Sequence, residues 1–219
     1  MAAQLHQAQV AALMASVADY MVSHKDELTA LDAELGDGDL GRTIERGFNA
    51  IAEALRGELP ADVGRLLYQL GKAFANAAPS SFGALFSAAL MKGGMTMKDK
   101  ASISLSDCAE ATQVALDALI ERGKSQLGNK TMLDAIAPAL EAMRAALAQD
   151  GEVSSAAFFR AAAEGAQRGA DETQHMQSQT GRASWQGERS IGKKDPGAQA
   201  IAMMFTAAAL HLEAQGDAS

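Results

Sequence analysis

Apolar residues return every three or four positions through most of the chain, as at Val10, Leu13, Met14, Val17 and Met21, a spacing that lays one apolar stripe along an α-helix. The stripe is interrupted at Gly36 to Gly41, Gly57 to Pro60, Pro79, Gly93 to Gly94, Gly123 to Asn129, Asp150 to Gly151 and Gly181 to Gly197. These breaks predict eight helices, over 5–34, 42–56, 62–77, 82–92, 106–122, 131–148, 154–178 and 197–214. Short connections make consecutive helices antiparallel neighbours. Thr131 or Asn129 ahead of Met132-Leu-Asp134, and Ser154 or Ser155 ahead of Ala156, are suited to cap helix starts.

Composition supports the same picture. Alanine is abundant while Val, Ile and the aromatics are scarce, which favours helix over strand and makes the fold class all-α. A chain of 219 residues is long enough for one well-buried core, so residues 1–219 are expected to form a single domain. The net charge of -8 argues against a nucleic-acid partner, whose phosphates call for a basic face. Cys108 is the only cysteine, too few for an internal disulfide or a zinc site and suited to a reducing compartment. The start Met1-Ala-Ala-Gln-Leu-His6 has no basic n-region, and runs such as Ile201 to Leu210 fall short of the ~20 residues that span a bilayer. A cytoplasmic protein without membrane segments is expected.

The stretch from Leu31 to Thr43 places Asp32, Asp37 and Asp39 close together with glycine at 36, 38 and 41. Glycine permits sharp bends, so a helix ends near Glu34 and Asp37-Gly-Asp39 turns tightly. Residues i and i+2 of such a segment converge, and Asp32 reaches the same point from the helix end. Carboxylates so gathered repel unless a cation lies among them, and Mg²⁺ favours a few carboxylates together with substrate phosphates. An EF-hand is rejected, because counting from Asp37 puts Arg42 and Phe48 where that loop needs glycine and glutamate. A solvated acidic turn with an aspartate cap remains the alternative. Two stretches could serve phosphates: Gly128-Asn-Lys-Thr131 at a helix start, where free N–H groups favour anions, and the loop from Thr180 to Gly197 with Arg182, Arg189 and Asp195-Pro-Gly197.

Taken together, Leu31-Asp-x3-Gly-Asp-Gly-Asp-x-Gly41 with Arg46-Gly-Phe48, Gly128-Asn-Lys-Thr-Met-Leu-Asp134, Gly181-Arg-Ala-Ser-Trp-x-Gly-Glu-Arg-Ser-Ile-Gly192 and Asp195-Pro-Gly-Ala198 resemble the L subunit or L domain of dihydroxyacetone kinases, in order from about residue 5 to 214. The resemblance implies an up-and-down closed barrel of eight antiparallel helices, holding ADP or ATP at one end through two Mg²⁺ ions. It implies Asp32, Asp37 and Asp39 as metal ligands, which with Arg182 carry the catalysis. Leu40, Gly41, Arg42 and Thr43 would begin a helix facing phosphate, Gly123 and Met132 would line the adenine side, and Arg182 with Asp195, Pro196 and Gly197 would close over the nucleotide. Phosphoryl transfer would go to dihydroxyacetone or a related short ketose held on a separate substrate-binding K subunit.

Two departures qualify the match. Members that take phosphate from a phosphocarrier protein typically have His and Asn where this chain has Leu40 and Thr43, so ATP is the expected donor. The family's phosphate loop, usually Gly-Gly-(Ala/Ser)-Ser-Gly, is here Asn76-Ala-Ala-Pro-Ser-Ser-Phe-Gly83. Its phosphate contacts are expected among Ala77, Ala78, Ser80 and Ser81, with Pro79 removing one backbone donor. The altered loop points to another ketose, such as the tetrulose erythrulose.

Other residues have plainer readings. His6, His24, His175 and His211 lack metal-ligand spacing and suit surface or capping roles; Met91, Met95, Met97, Met203 and Met204 suit core filling. Ser81-Phe-Gly83 lacks the first glycine and the preceding strand of a nucleophile elbow. Trp185 covers the site or meets a partner. A non-catalytic regulatory module, holding ADP-Mg and binding a transcription factor or kinase subunit, is the competing function; a homodimer and a lipid in the barrel interior are further expectations to test.

Overall fold

Polar side chains set the helix starts in the computed structural model, which describes residues 3–216 and so leaves Met1 and Ala2 of the chain start outside it. Asp62 accepts from Arg65 N at 2.8 Å, Ser80 from Gly83 N at 3.0 Å, Ser104 from Asp107 N at 3.1 Å and Ser154 from Ala157 N at 3.1 Å, each satisfying an amide that the first helical turn leaves without a partner. The resulting helices are α1 (Gln7–Ser23), α2 (Lys25–Leu35), α3 (Leu40–Leu55), α4 (Val63–Ala77), α5 (Ser81–Met95), α6 (Leu105–Gly123), α7 (Leu133–Leu147), α8 (Ser155–Glu172) and α9 (Pro196–Gly216). Short 3-10 turns cover Thr173–His175 and Arg182–Ser190. The chain is mostly helical, as the spacing predicts.

The helix expected over 154–178 ends at Glu172, followed by a 3-10 turn, and further elements also differ from expectation. The helix expected over 5–34 is broken at His24, whose backbone leaves the helical region and whose ring stacks on Tyr20 at 4.0 Å. Strand β1 (Gln4–His6) pairs antiparallel with β2 (Ser102–Ser104), Leu5 opposite Ile103, so the fold is not wholly α. The Gly93-Gly94 pair does not end its helix: α5 runs to Met95 because both glycines are buried against neighbouring helices.

Helix α3 packs on α1 and α2, α4 on α3, α5 on α4, α6 on α5, α7 on α6, α8 on α7, and α9 on both α8 and α1. The apolar stripes meet between them. Phe48, Phe74 and Phe86 tie α3, α4 and α5 together at ring separations of 5.3 and 4.8 Å, and burying each such ring contributes about 1.5–3 kcal/mol. Met97 and Met203 are core residues, whereas Met95 is 40% exposed. An apolar cavity of ≈ 260 Å³ remains between the helices, lined by residues such as Val10, Leu13, Phe86, Met143 and Phe205. Among the described residues no helix is long and apolar enough to cross a membrane.

Candidate functional site

Because neighbouring helices alternate in direction, the α2–α3, α4–α5, α6–α7 and α8–α9 connections fall at one end. All four line a single cleft of ≈ 800 Å³. Its chemistry is therefore built on loops held by a rigid helical frame.

The α2–α3 connection brings the aspartates together. Asp32 stands in the last turn of α2, and its Oδ2 accepts from Leu40 N at 3.0 Å across the loop. Gly38 takes φ +70°, a left-handed conformation that glycine adopts without strain, and the chain turns back into α3. One carboxylate oxygen each from Asp32, Asp37 and Asp39 then lie within 4.8 Å of one another. Asp37 is exposed and forms an ion pair with Arg182 from the α8–α9 loop. That donor set, all oxygen and acidic with open sides toward the cleft, fits a hard divalent cation that shares its remaining positions with phosphate.

Helix α3 enters the cleft through Leu40 and Thr43, the latter buried. Gly41 instead faces α2: a Cβ there would lie 2.3 Å from Lys25 O and 1.9 Å from Thr29 Oγ1, so the glycine lets the two helices touch. Arg42 in the same turn is exposed, and neither residue lines the cleft.

The α4–α5 connection contributes Pro79, Ser80, Ser81 and Phe82. The Ser80 hydroxyl is occupied by the α5 cap, and its N–H bonds Ala78 O at 2.9 Å. Ser81 and Phe82 begin the helix, where amides have no intrahelical acceptor. Ala77 and Ala78 end α4 and do not line the cleft, and Ala78 is buried.

The α6–α7 connection differs from its sequence reading. The amides of Gly128 and Thr131 both donate to Asp134, at 2.6 and 2.8 Å, so they are spent within the turn rather than offered to an anion. Lys130 and Thr131 border the cleft beside Met132, but Lys130 Nζ donates to backbone carbonyls of Thr173, Ser190, Met176 and Lys193. Gly123, at the end of α6, is not among the lining residues.

The α8–α9 connection covers the opposite wall with Thr180, Gly181, Arg182 and Ala183 and ends at Asp195-Pro-Gly197. Lys193 Nζ donates to Glu34 O at 2.7 Å, fastening the loop to the end of α2. Asp195 Oδ2 accepts from Ala198 N at 2.7 Å and Pro196 occupies the first helical position, so this tripeptide is a helix start as well as a cleft wall. Burial pushes the Asp195 carboxyl up to about 7, against the opposing pull of the Ala198 amide and the Lys130 ammonium. Trp185 is 82% exposed and stands outside the cleft.

Of the residues singled out from the sequence, Asp32, Asp37, Asp39, Leu40, Thr43, Ser80, Ser81, Met132, Arg182, Asp195, Pro196 and Gly197 are brought together, while Gly41, Arg42, Ala77, Ala78 and Gly123 are not. Sequence reasoning did not single out Phe82 or assign Lys130 its place. Nothing in Gly128-Asn-Lys-Thr131 distinguishes a lysine aimed at phosphate from one aimed at carbonyls 43 to 63 residues onward.

Comparison with known proteins gives one family. The DAK2 domain family matches residues 34–210. The chain is 32% identical over 206 residues to the ADP-binding subunit DhaL of the PEP-dependent dihydroxyacetone kinase of Escherichia coli (strain K12), covering 94% of this chain and 97% of that one. It is 37% identical over 196 residues to the D-erythrulose kinase of Mycolicibacterium smegmatis, covering 89% of this chain and 33% of the relative. The solved dihydroxyacetone kinase from C. freundii in complex with AMP-PNP and Mg2+ superposes with a TM-score of 0.73 at 29% identity, over 96% of this chain and 35% of that chain. The chain thus spans nearly all of the bacterial subunit and about a third of the longer kinases. Match length, identity and the ordered loops at one end of the helices agree: the chain belongs to the DAK2 domain family, the family of the L subunits and L domains of dihydroxyacetone kinases.

Proposed function

We propose that this chain is the ADP- and ATP-binding subunit of a cytoplasmic kinase for dihydroxyacetone or a related short ketose such as erythrulose, working with a separate K subunit that holds the ketose. The observation that carries the reading is the convergence of Asp32, Asp37 and Asp39 within 4.8 Å at the mouth of a cleft that also presents Arg182 and a helix start. The names of the relatives support it, one an ADP-binding subunit and another a structure with AMP-PNP and Mg2+.

On this reading residues 1–219 form one domain, its ring of helix contacts closing into a barrel with the nucleotide at one end. The three aspartates would hold two Mg²⁺ ions, which when bound would supply positive charge to offset that of the transferred phosphoryl group. Asp32 is oriented for this by Leu40 N. Arg182, already at the cleft mouth through Asp37, exchanges that carboxylate for phosphate when the nucleotide enters. The first amides of α5, at Ser81 and Phe82, replace the glycine nest of other members, while Ser80 supports them as the cap. Met132 and Pro196 flank the base, and Gly197 leaves room beside Met132. Catalysis is mainly positioning and electrostatics. Leu40 and Thr43 at the cleft support ATP as the donor, and Trp185, exposed on the loop that carries Arg182, supports a docking face for the K subunit.

Titration calorimetry with ADP tests this directly. Binding is expected with Mg²⁺ and strongly reduced without it, and Asp37→Asn, which removes one carboxylate from the cluster, is expected to weaken Mg·ADP by at least about tenfold. Equal affinity in the native protein and the variant would refute the reading. Tight nucleotide binding without transfer to any ketose in the presence of K subunits would instead favour a regulatory module.

A further inference from the structure

We propose that Lys130 is a positioning residue whose buried ammonium group clamps the Arg182-bearing loop over the cleft by gathering backbone carbonyls from both of its ends. Its effect on nucleotide rests on the reading above; the clamp itself does not.

Lys130 is 2% exposed. Its Nζ donates to Thr173 O at 2.8 Å, Met176 O at 3.2 Å, Ser190 O at 2.7 Å and Lys193 O. An ammonium has three N–H donors, here shared among four acceptors, so none is left for an anion in the cleft. The acceptors bracket the segment that carries Arg182: two precede it and two follow it. Holding both ends of a long loop removes much of the freedom that ordering it around a ligand would otherwise cost.

The backbone at this position is arranged for the same task. Lys130 takes φ +61°, a left-handed conformation that a residue with a side chain adopts only when its surroundings hold it there. Asp134 does so by accepting from Gly128 N and Thr131 N on either side. The side chain is thereby turned inward, away from α7, to the carbonyls. Removal from water holds the Lys130 ammonium below the usual lysine range, with Asp195 pulling the other way, which agrees with an interior cation solvated by carbonyl dipoles in place of water. Although Lys130 lies in a stretch suited by sequence to phosphate, its placement makes it part of the scaffold of the loop.

The test uses Lys130→Met, which keeps chain length and removes every donor. Amide hydrogen exchange is expected to accelerate selectively across residues 173–193, and the fluorescence anisotropy of Trp185, the only tryptophan, to fall as the loop gains freedom, with helical circular dichroism retained. Mg·ADP affinity is expected to drop about tenfold or more, the scale set by losing hydrogen bonds to a charged group. Native-like exchange across 173–193 together with native anisotropy would overturn the clamp. If the native protein itself does not bind Mg·ADP, the nucleotide reading fails while exchange and anisotropy still decide the clamp. Should the variant not fold, ¹⁵N-lysine NMR of the native protein gives an independent answer: one ammonium with slowly exchanging protons is expected at neutral pH, and fast exchange at every lysine would contradict the proposal.

Discussion

Asp195 answers two demands that pull in opposite directions. As the cap of α9 its carboxylate accepts from Ala198 N, which favours the charged form. Burial disfavours that form more strongly and raises the carboxyl from 3.8 to about 7. The folded protein therefore holds this proton more tightly than the unfolded chain, so the group's contribution to stability is lost as pH rises from about 4 to about 7 and stays lost above. Asparagine caps as well and does not ionise. The melting-temperature difference between Asp195→Asn and the native protein is expected to shift in favour of the variant between pH 4 and pH 8, measured by thermal denaturation without nucleotide. A difference independent of pH would contradict the burial argument. Legibility at this scale was uneven. The convergence of Asp32, Asp37 and Asp39 could be read from spacing, because glycines between acidic residues leave few ways for the chain to turn. Lys130 could not, since its partners are backbone carbonyls distant in sequence and backbone carries no sequence signature.

Helices were legible wherever periodicity and caps agreed, and less so where one pattern ran through a break. The α1–α2 junction at His24 is such a place: apolar spacing continues across it, although Asp26 and Glu27 in the first turn of α2 mark a new helix start. Strands β1 and β2 have three residues each, too short for alternation to register against helical flanks. The pairing of α2 with α3 decides the site, because it fixes the aspartate loop between them. Gly41 is a point of close approach between them, and Gly41→Ala would set a methyl group against Lys25 O. Overpacking of this kind costs about 1–3 kcal/mol. Denaturant unfolding is expected to show a loss of that size, accompanied by weaker Mg·ADP binding although Gly41 does not line the cleft. Unchanged stability and unchanged affinity would show that the two helices are not held at this contact.

For the molecule as a whole, alternating helix direction turns four separate connections into one surface. Most of the polar groups on those connections stand out in the sequence, and the order of its motifs carries the family resemblance. What it could not supply was which residues in each turn face the cleft: Gly41 and Arg42 precede Thr43 by one or two positions but fall on other sides of the helix. The proposed function stands or falls on whether Asp32, Asp37 and Asp39 together bind a cation at the cleft mouth. Crystals grown with ADP and Mn²⁺ in place of Mg²⁺ would show this through anomalous scattering at the manganese edge. Anomalous peaks are expected bonded to carboxylate oxygens of Asp32, Asp37 and Asp39 and to the ADP phosphates, with Arg182 released from Asp37. Bound ADP with no anomalous peak at these carboxylates, and Arg182 still paired to Asp37, would contradict it.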